Sequence, residues 1–467
     1  MSPLPRRVVA GYAAGSVGTG GFGTLPGLLL AYYLTDSLGV AAGLAGLAVV
    51  LPKVWDVLID PFVGHLSDTR AARTGTRRGL MLAGALSLPV LFAATFAVPT
   101  GLSPAASTAW VVVCFVGAAT AFSLFQVPYI GLPAELTGDY DARTRLVAVR
   151  VAVLAVAILL FGAGGPALRD LGGGGAGGYL LMGVVAGAVI GLGMLGTWWG
   201  VRGHERVGGT RRAAQPPASA PPEPATSPGR TTREGLAAGV TAVRSSRPFR
   251  LLLTAFVLQA LATGAMLAGA QYVATYVIGQ ESAVSLLFAA LVAPALLVMP
   301  AWAALAGRVG KERSFLLASV LFAVAAGSLL LLAAAPGPWV YVSVAAAGVA
   351  YAGMQAFPLA MLPDVVSHHA RHDPAVRTGS FSGVWTAGET AGLAVGPALV
   401  LGVLALTGFE PSRAGQVVAQ PDGAVLGIVV AFSVLPALLV LASLLVLRRY
   451  PLRRRDIEQD ELRESAA

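Results

Sequence analysis

Lys53, Asp56 and Asp60 are charged residues set inside an otherwise mostly apolar run, 40–67, which is longer than the ~20 residues a helix needs to cross a bilayer. Spacings of three and four put all three on one helical face. A charge at mid-bilayer costs roughly 2.5 to 3.5 kcal/mol on insertion scales, so this face must look into a wet or protein-lined interior. Two carboxylates held four residues apart repel unless a proton, a cation or Lys53 intervenes. Lys53 offsets one of them, and the net charge left suits one monovalent cation or one exchangeable proton. Pro61, directly after Asp60, has no N–H, which frees the Val57 carbonyl as another oxygen. The competing reading of the three charges is a structural ion cluster.

The elements that must position this face are membrane helices. With 56% hydrophobic and 12% charged residues and a mean hydropathy of +0.74, the 467-residue chain does not have the composition of an ordinary soluble domain. Twelve apolar runs are expected as spans, at 8–34, 40–67, 79–99, 107–134, 146–168, 178–201, 249–278, 283–306, 314–334, 338–364, 379–407 and 423–447. With the N-terminus inside, every basic residue except Lys53, Arg169 and Arg413 falls in a cytoplasmic segment. That asymmetry places both termini in the cytoplasm of a multi-pass protein of the inner (plasma) membrane. The formal charge of +9 is therefore an orientation signal and no footprint for nucleic acid. A lone cysteine, Cys114, excludes a disulfide framework.

The runs divide into two halves. The stretch 203–248 contains QPPASAPPEPATSPGR, a flexible cytoplasmic linker by composition, so the domains expected are 1–202, the linker 203–248, 249–447 and a cytoplasmic tail 448–467. VPYIGLPAEL from Val127 repeats as FPLAMLPDVV from Phe357, aligning Pro128 with Pro358 and Pro133 with Pro363. The fold class expected is an all-α membrane protein, twelve transmembrane helices in two pseudo-symmetric six-helix bundles, the major facilitator fold. Such repeats place substrate and coupling ion near the midplane between the halves.

The string Lys53-x-Trp55-Asp56-x-x-x-Asp60-Pro61, followed by Gly64, Asp68, Thr69 and an arginine-rich turn, resembles the second helix and following loop of the glycoside-pentoside-hexuronide:cation symporters, the melibiose permease family. LPAELTGDYDARTRL from Leu132, and LPDVV with RTGSFSGVWT in the second half, are similar to the same family. The resemblance implies cation-coupled symport of a sugar or glycoside by alternating access, with Asp56 and Asp60 as the cation-site carboxylates. It also implies cytoplasmic gate contacts at Asp68, Arg73, Asp141 and Arg143, and a substrate contact or cytoplasmic anchor at Arg150.

Departures from that pattern matter as much. Ser16 and Gln126 stand where sugar-transporting relatives are acidic, Ile130 where they are aromatic, and Thr390 where they have lysine. The groups that would grip a galactoside are largely replaced. Ser123 and Gln126, three apart, offer neutral oxygens to complete a shell around a hard cation with the two aspartates. Glu389 in the eleventh run faces either the central cavity or lipid; its charge, beside the family's lysine position, favours a cationic or hydroxyl-rich solute. Trp385 either stacks on a sugar ring or apolar tail, or packs between helices.

The function expected is secondary active transport, with Na+ or H+ as coupling ion, no cofactor, and the bilayer and a small solute as partners of a monomer. No His or Cys grouping supplies an intramembrane catalyst, so an enzyme is not expected. Lysophospholipid or amphiphile transport, natural-product export and a non-transporting sensor stay open as alternatives. His368, His369 and His372 read as exposed loop histidines, and the turn after the second run is placed over 64–78.

Overall fold

The computed structural model describes residues 4–137, 140–204, 246–372, 378–413 and 418–452, and within its helices the side chains of Val57, Pro61, Asp68, Asp141 and Arg143 are among those outside the description. Most of the expected linker, and the tail beyond residue 452, also lie outside the described residues.

The described residues are almost wholly helical. In the first half come α1 (Arg6–Tyr32), α2 (Ala42–Thr74), α3 (Arg78–Thr95), α4 (Pro104–Leu136), α5 (Tyr140–Leu171) and α6 (Ala176–Gly200). In the second come α7 (Arg247–Tyr272), α8 (Ala283–Val309), α9 (Lys311–Ser328), α10 (Val340–His372), α11 (Thr378–Leu406), α12 (Asp422–Phe432) and α13 (Val434–Leu447). Among the described residues eleven helical spans are long and apolar enough to cross a membrane, α12 and α13 counting as one. The twelfth helix, α1, has the length, but its many glycines dilute its hydropathy.

Helices persist because lipid offers backbone groups no partner, so each segment satisfies its own. Several outlast their apolar runs. The expected turn over 64–78 is corrected by α2, which continues to Thr74 and stops at Gly75, where φ is +73°. Nothing in Asp68–Arg73 breaks a helix, whereas glycine adopts the left-handed conformation freely. Likewise His368, His369 and His372 end α10 instead of occupying a loop, and His369 meets Phe381 edge-on at 5.4 Å. The last span is interrupted at Ser433, because Pro436 has no N–H to bond the Phe432 carbonyl.

The chain forms two compact units. One comprises Met1–Val40, Leu47–Pro228 and Pro411–Val417; the other comprises Ala41–Gly46, Gly229–Glu410 and Val418–Ala467. Within the first, α1 packs on α5 and α6, while α3 packs on α4 and α6. Within the second, α7 packs on α11 and α13, while α9 packs on α10 and α13. The same arrangement thus recurs six helices later, as an internal repeat requires.

Hydrophobic burial does little between helices in lipid, so close approach of small residues carries the packing. Gly11 of α1 and Gly200 of α6 meet backbone to backbone. Aromatic rings fill the wider gaps: Phe22 of α1 stacks on Phe122 at 4.6 Å and tilts against Phe115 at 5.8 Å, both on α4.

Candidate cation and solute sites

Because α2 is unbroken through Pro61, Lys53, Asp56 and Asp60 share one of its faces. Lys53 Nζ lies 3.4 Å from Asp56 Oδ2 and 5.8 Å from the centroid of the Phe22 ring of α1. Only 14% of the Asp56 side chain is exposed, and its second oxygen, Oδ1, is buried with no hydrogen-bond partner. One turn on, Asp60 Oδ1 accepts a hydrogen bond from Ser123 Oγ of α4 at 2.5 Å. That bond ties the carboxylate of Asp60, an exposed residue, to α4. Beside it, Thr19 Oγ1 of α1 donates to Gln126 Oε1 of α4 at 2.8 Å.

Three helices of one unit therefore contribute to a small oxygen-rich cluster. An ionised carboxylate oxygen that is buried and unpartnered carries a desolvation cost, which a proton or a hard cation removes. The donor set suits such a cation: two carboxylates, one of them offset by Lys53, with neutral oxygens from Ser123, Gln126 and Thr19. Among the described residues no group of three or more His, Cys, Asp or Glu side chains is placed to hold a metal ion. Thr19 was missed by sequence reasoning; its spacing of three from Ser16 was the only available signal.

Ser16 is wholly buried, its Oγ 3.1 Å from Tyr129 Oη, and Tyr129 in turn donates to the Tyr12 carbonyl at 2.8 Å. Arg150 lies over the Tyr129 ring at 5.0 Å, so Ser16 and Arg150 are joined through one tyrosine. Ile130 is exposed.

In the second unit Trp385 is 3% exposed and lies flat on Phe256 of α7, with centroids 4.2 Å apart and planes at 16°. Its place is in the α7–α11 packing. One turn along α11, Glu389 and Thr390 are half-buried. Glu389 makes no hydrogen bond or ion pair with a described residue. Across on α10, Gln355 Nε2 donates to Tyr351 Oη at 2.9 Å.

Of the expected cytoplasmic gate, Arg73 is exposed, and the side chains of Asp68, Asp141 and Arg143 lie outside the described residues. Two other ion pairs tie α4 to the start of α3 and α10 to the start of α9, each within its own unit. Arg77, just before α3, donates to Glu135 at 2.6 Å and to Ser67 at 2.9 Å. Lys311 at the start of α9 donates to Asp364 at 2.7 Å. The repeat containing Pro133 and Pro363 carries both acidic partners, a signal that the alignment of prolines alone did not exploit.

The profile described as MFS/sugar transport protein matches residues 11–454, nearly the whole chain. The chain belongs to that family. As a member, it is a membrane transporter and not a catalyst. It is 26% identical to an uncharacterized symporter of Synechocystis sp. over 95% of this chain and 93% of that protein. It is 31% identical to the glucuronide carrier protein homolog of Escherichia coli, over 32% of each chain. Among solved structures, the D-xylose-proton symporter superposes with a TM-score of 0.64 at 12% identity, covering 95% of this transporter and 98% of that chain. The nucleoside transporter NupG gives 0.63 at 14% identity, covering 96% and 100%. These likenesses establish the major facilitator fold.

Proposed function

We propose that this transporter is a cation-coupled symporter of the glycoside-pentoside-hexuronide:cation type, moving a small sugar or glycoside across the plasma membrane by alternating access, with both termini cytoplasmic. The observation that carries the reading is the buried, unpartnered Oδ1 of Asp56 one helical turn from the Asp60–Ser123 bond. Similarity to a Synechocystis symporter and a glucuronide carrier homolog supports the same direction. Coupling follows when the cation and the solute favour the same state of the protein, since each then raises the affinity for the other. Na+ and H+ both fit a cluster of two carboxylates and one ammonium, and we favour Na+ for its match to the neutral oxygens of Ser123, Gln126 and Thr19.

The test is uptake into proteoliposomes under a Na+ gradient and, separately, a proton gradient, with labelled sugars as solutes. Asp56→Asn and Asp60→Asn are expected to abolish concentrative uptake while the protein remains folded in the membrane. Retained accumulation in both variants removes these acids from coupling.

A second reading rests on a groove of about 420 Å³ between α1, α5 and α6, lined by apolar side chains such as Val17, Val156, Leu160 and Val189. It would accept an acyl chain, which favours an amphiphile such as a lysophospholipid. The same proteoliposomes supplied with labelled lysophospholipid distinguish the two.

A further inference from the structure

The chain between α11 and α12 leaves the second unit through a closed neck. Gly408, in the left-handed region at φ +78°, turns the backbone just past α11. Phe409 follows, buried, with its ring edge-on to Tyr272 and to Tyr276 at 5.6 Å each. Gln420, just before α12, then clasps the Glu410 backbone: Glu410 N–H donates to Gln420 Oε1 at 2.9 Å, and Gln420 Nε2 donates to the Glu410 carbonyl at 2.7 Å. All of these residues belong to the second unit.

Past the neck the chain changes unit. Pro411–Val417 is part of the first unit, although α11 and α12 on either side of it are part of the second. Ser412 N–H donates to the Thr35 carbonyl at 2.9 Å. Ser412 Oγ donates to the Asp36 carbonyl at 3.0 Å and lies 3.3 Å from Asp36 Oδ1. Arg413 pairs with Leu38 in an isolated antiparallel bridge. Thr35 and Asp36 sit in the π-helical turn Tyr33–Ser37 that ends α1.

Connecting segments ordinarily keep their polar groups in water. Here Ser412 is 5% exposed, and its partners Thr35 and Asp36 are 0% and 7% exposed. The seat is also close-fitting, since a Cβ added at Gly39 would lie 3.1 Å from Arg413 Cγ. Repeat-built transporters alternate access largely by rocking one repeat against the other. A segment covalently continuous with one half and hydrogen-bonded to the other opposes that motion until its bonds part. A few hydrogen bonds and one bridge can part and re-form at a cost far below that of unpacking a helix.

We propose that Ser412 and Arg413 form a latch that fastens to Thr35–Leu38 in one access state and lets go in the other, so that its strength sets the balance between the two. The latch acts at the α1–α2 connection, the opposite end of α2 from the turn that carries Arg77. It rests on the alternating-access reading and adds to it the element that holds one state shut.

The experiment uses the full chain with Cys114→Ser, which removes the lone native thiol, and with Leu38→Cys and Arg413→Cys. Residues opposed in an antiparallel pair have Cα atoms roughly 4.5–5.5 Å apart, within disulfide range. Oxidation with copper phenanthroline in proteoliposomes is expected to cross-link the pair and to lower gradient-driven uptake of labelled sugars by tenfold or more, with reductant restoring it. Hydrogen exchange in lipid nanodiscs reads the latch without any solute. Peptides covering 33–40 and 408–413 should exchange about tenfold faster in Ser412→Ala than in the unsubstituted protein, and more slowly in the cross-linked one. Failure to cross-link overturns the latch, as does uptake undiminished by the cross-link or equal exchange in all three proteins. If no sugar accumulates in the unsubstituted protein, the symport reading falls and the exchange pattern alone decides the latch.

Discussion

The Ser123 hydroxyl of α4 sits 2.5 Å from Asp60 Oδ1 of α2, and it ties that carboxylate to α4. Ser123→Ala removes both a bond and an oxygen, and is expected to raise the Na+ concentration for half-maximal uptake by about tenfold, or about 1.4 kcal/mol. A cation titration of initial uptake rates checks this, with melting temperature as the control for folding. An unchanged half-saturation would separate Ser123 from the cation.

Gly11 approaches α6 so closely that an added Cβ would lie 2.6 Å from Gly200 Cα. Backbone cannot yield there as a side-chain tip would. Gly11→Ala should therefore cost about 1–3 kcal/mol and lower the melting temperature, whereas Gly23→Ala, which meets nothing within 4 Å, should not. Equal melting of the two variants would refute the packing argument.

The Arg77–Glu135 and Lys311–Asp364 ion pairs differ in exposure. Arg77 and Glu135 are 22% and 13% exposed, against 43% and 17% for Lys311 and Asp364. Arg77→Ala strands a mostly buried carboxylate and should cost about 1–3 kcal/mol. Lys311→Ala leaves an aspartate beside a wetter site and should cost about 0.2–1 kcal/mol. Detergent-solubilised melting curves, repeated at high salt, compare them directly; the idea fails if Lys311→Ala is the more damaging.

Tyr450 lies just beyond the last span, where burial, reinforced by the charges of Asp364 and Glu312, pushes its phenol up from the ordinary tyrosine value. A raised folded value means the folded state keeps its proton where the unfolded chain loses it. The stability from Tyr450 is then complete below about pH 10 and declines as pH climbs above that value. Tyr450→Phe should flatten this alkaline decline in melting temperature, and an identical profile would dismiss the residue as its source.

Much of this was legible in the residues themselves. Apolar length gave the number of spans, since bilayer thickness fixes what a helix must cover. Helix ends were harder, because the apolar pattern stops at the membrane while the backbone continues. Asp68–Arg73 look like a turn by polarity yet extend α2 to Gly75, and His369 looks solvated yet packs on Phe381. Aromatic roles were equally open: whether Trp385 meets solute or neighbour depended on Phe256, more than a hundred residues away in the chain.

By itself the sequence determined that Lys53, Asp56 and Asp60 share a face, because a helical repeat of 3.6 residues leaves spacings of three and four no other arrangement. It also determined that such a face cannot look at lipid. Only the tertiary structure decided which atoms answer those charges. That Ser123 takes Asp60, that Thr19 takes Gln126, and that one oxygen of Asp56 is left without a partner depend on how α1, α2 and α4 are rotated against one another. Those rotations are set by side-chain packing at distant positions, such as Phe22 on Phe122, and no local spacing encodes them.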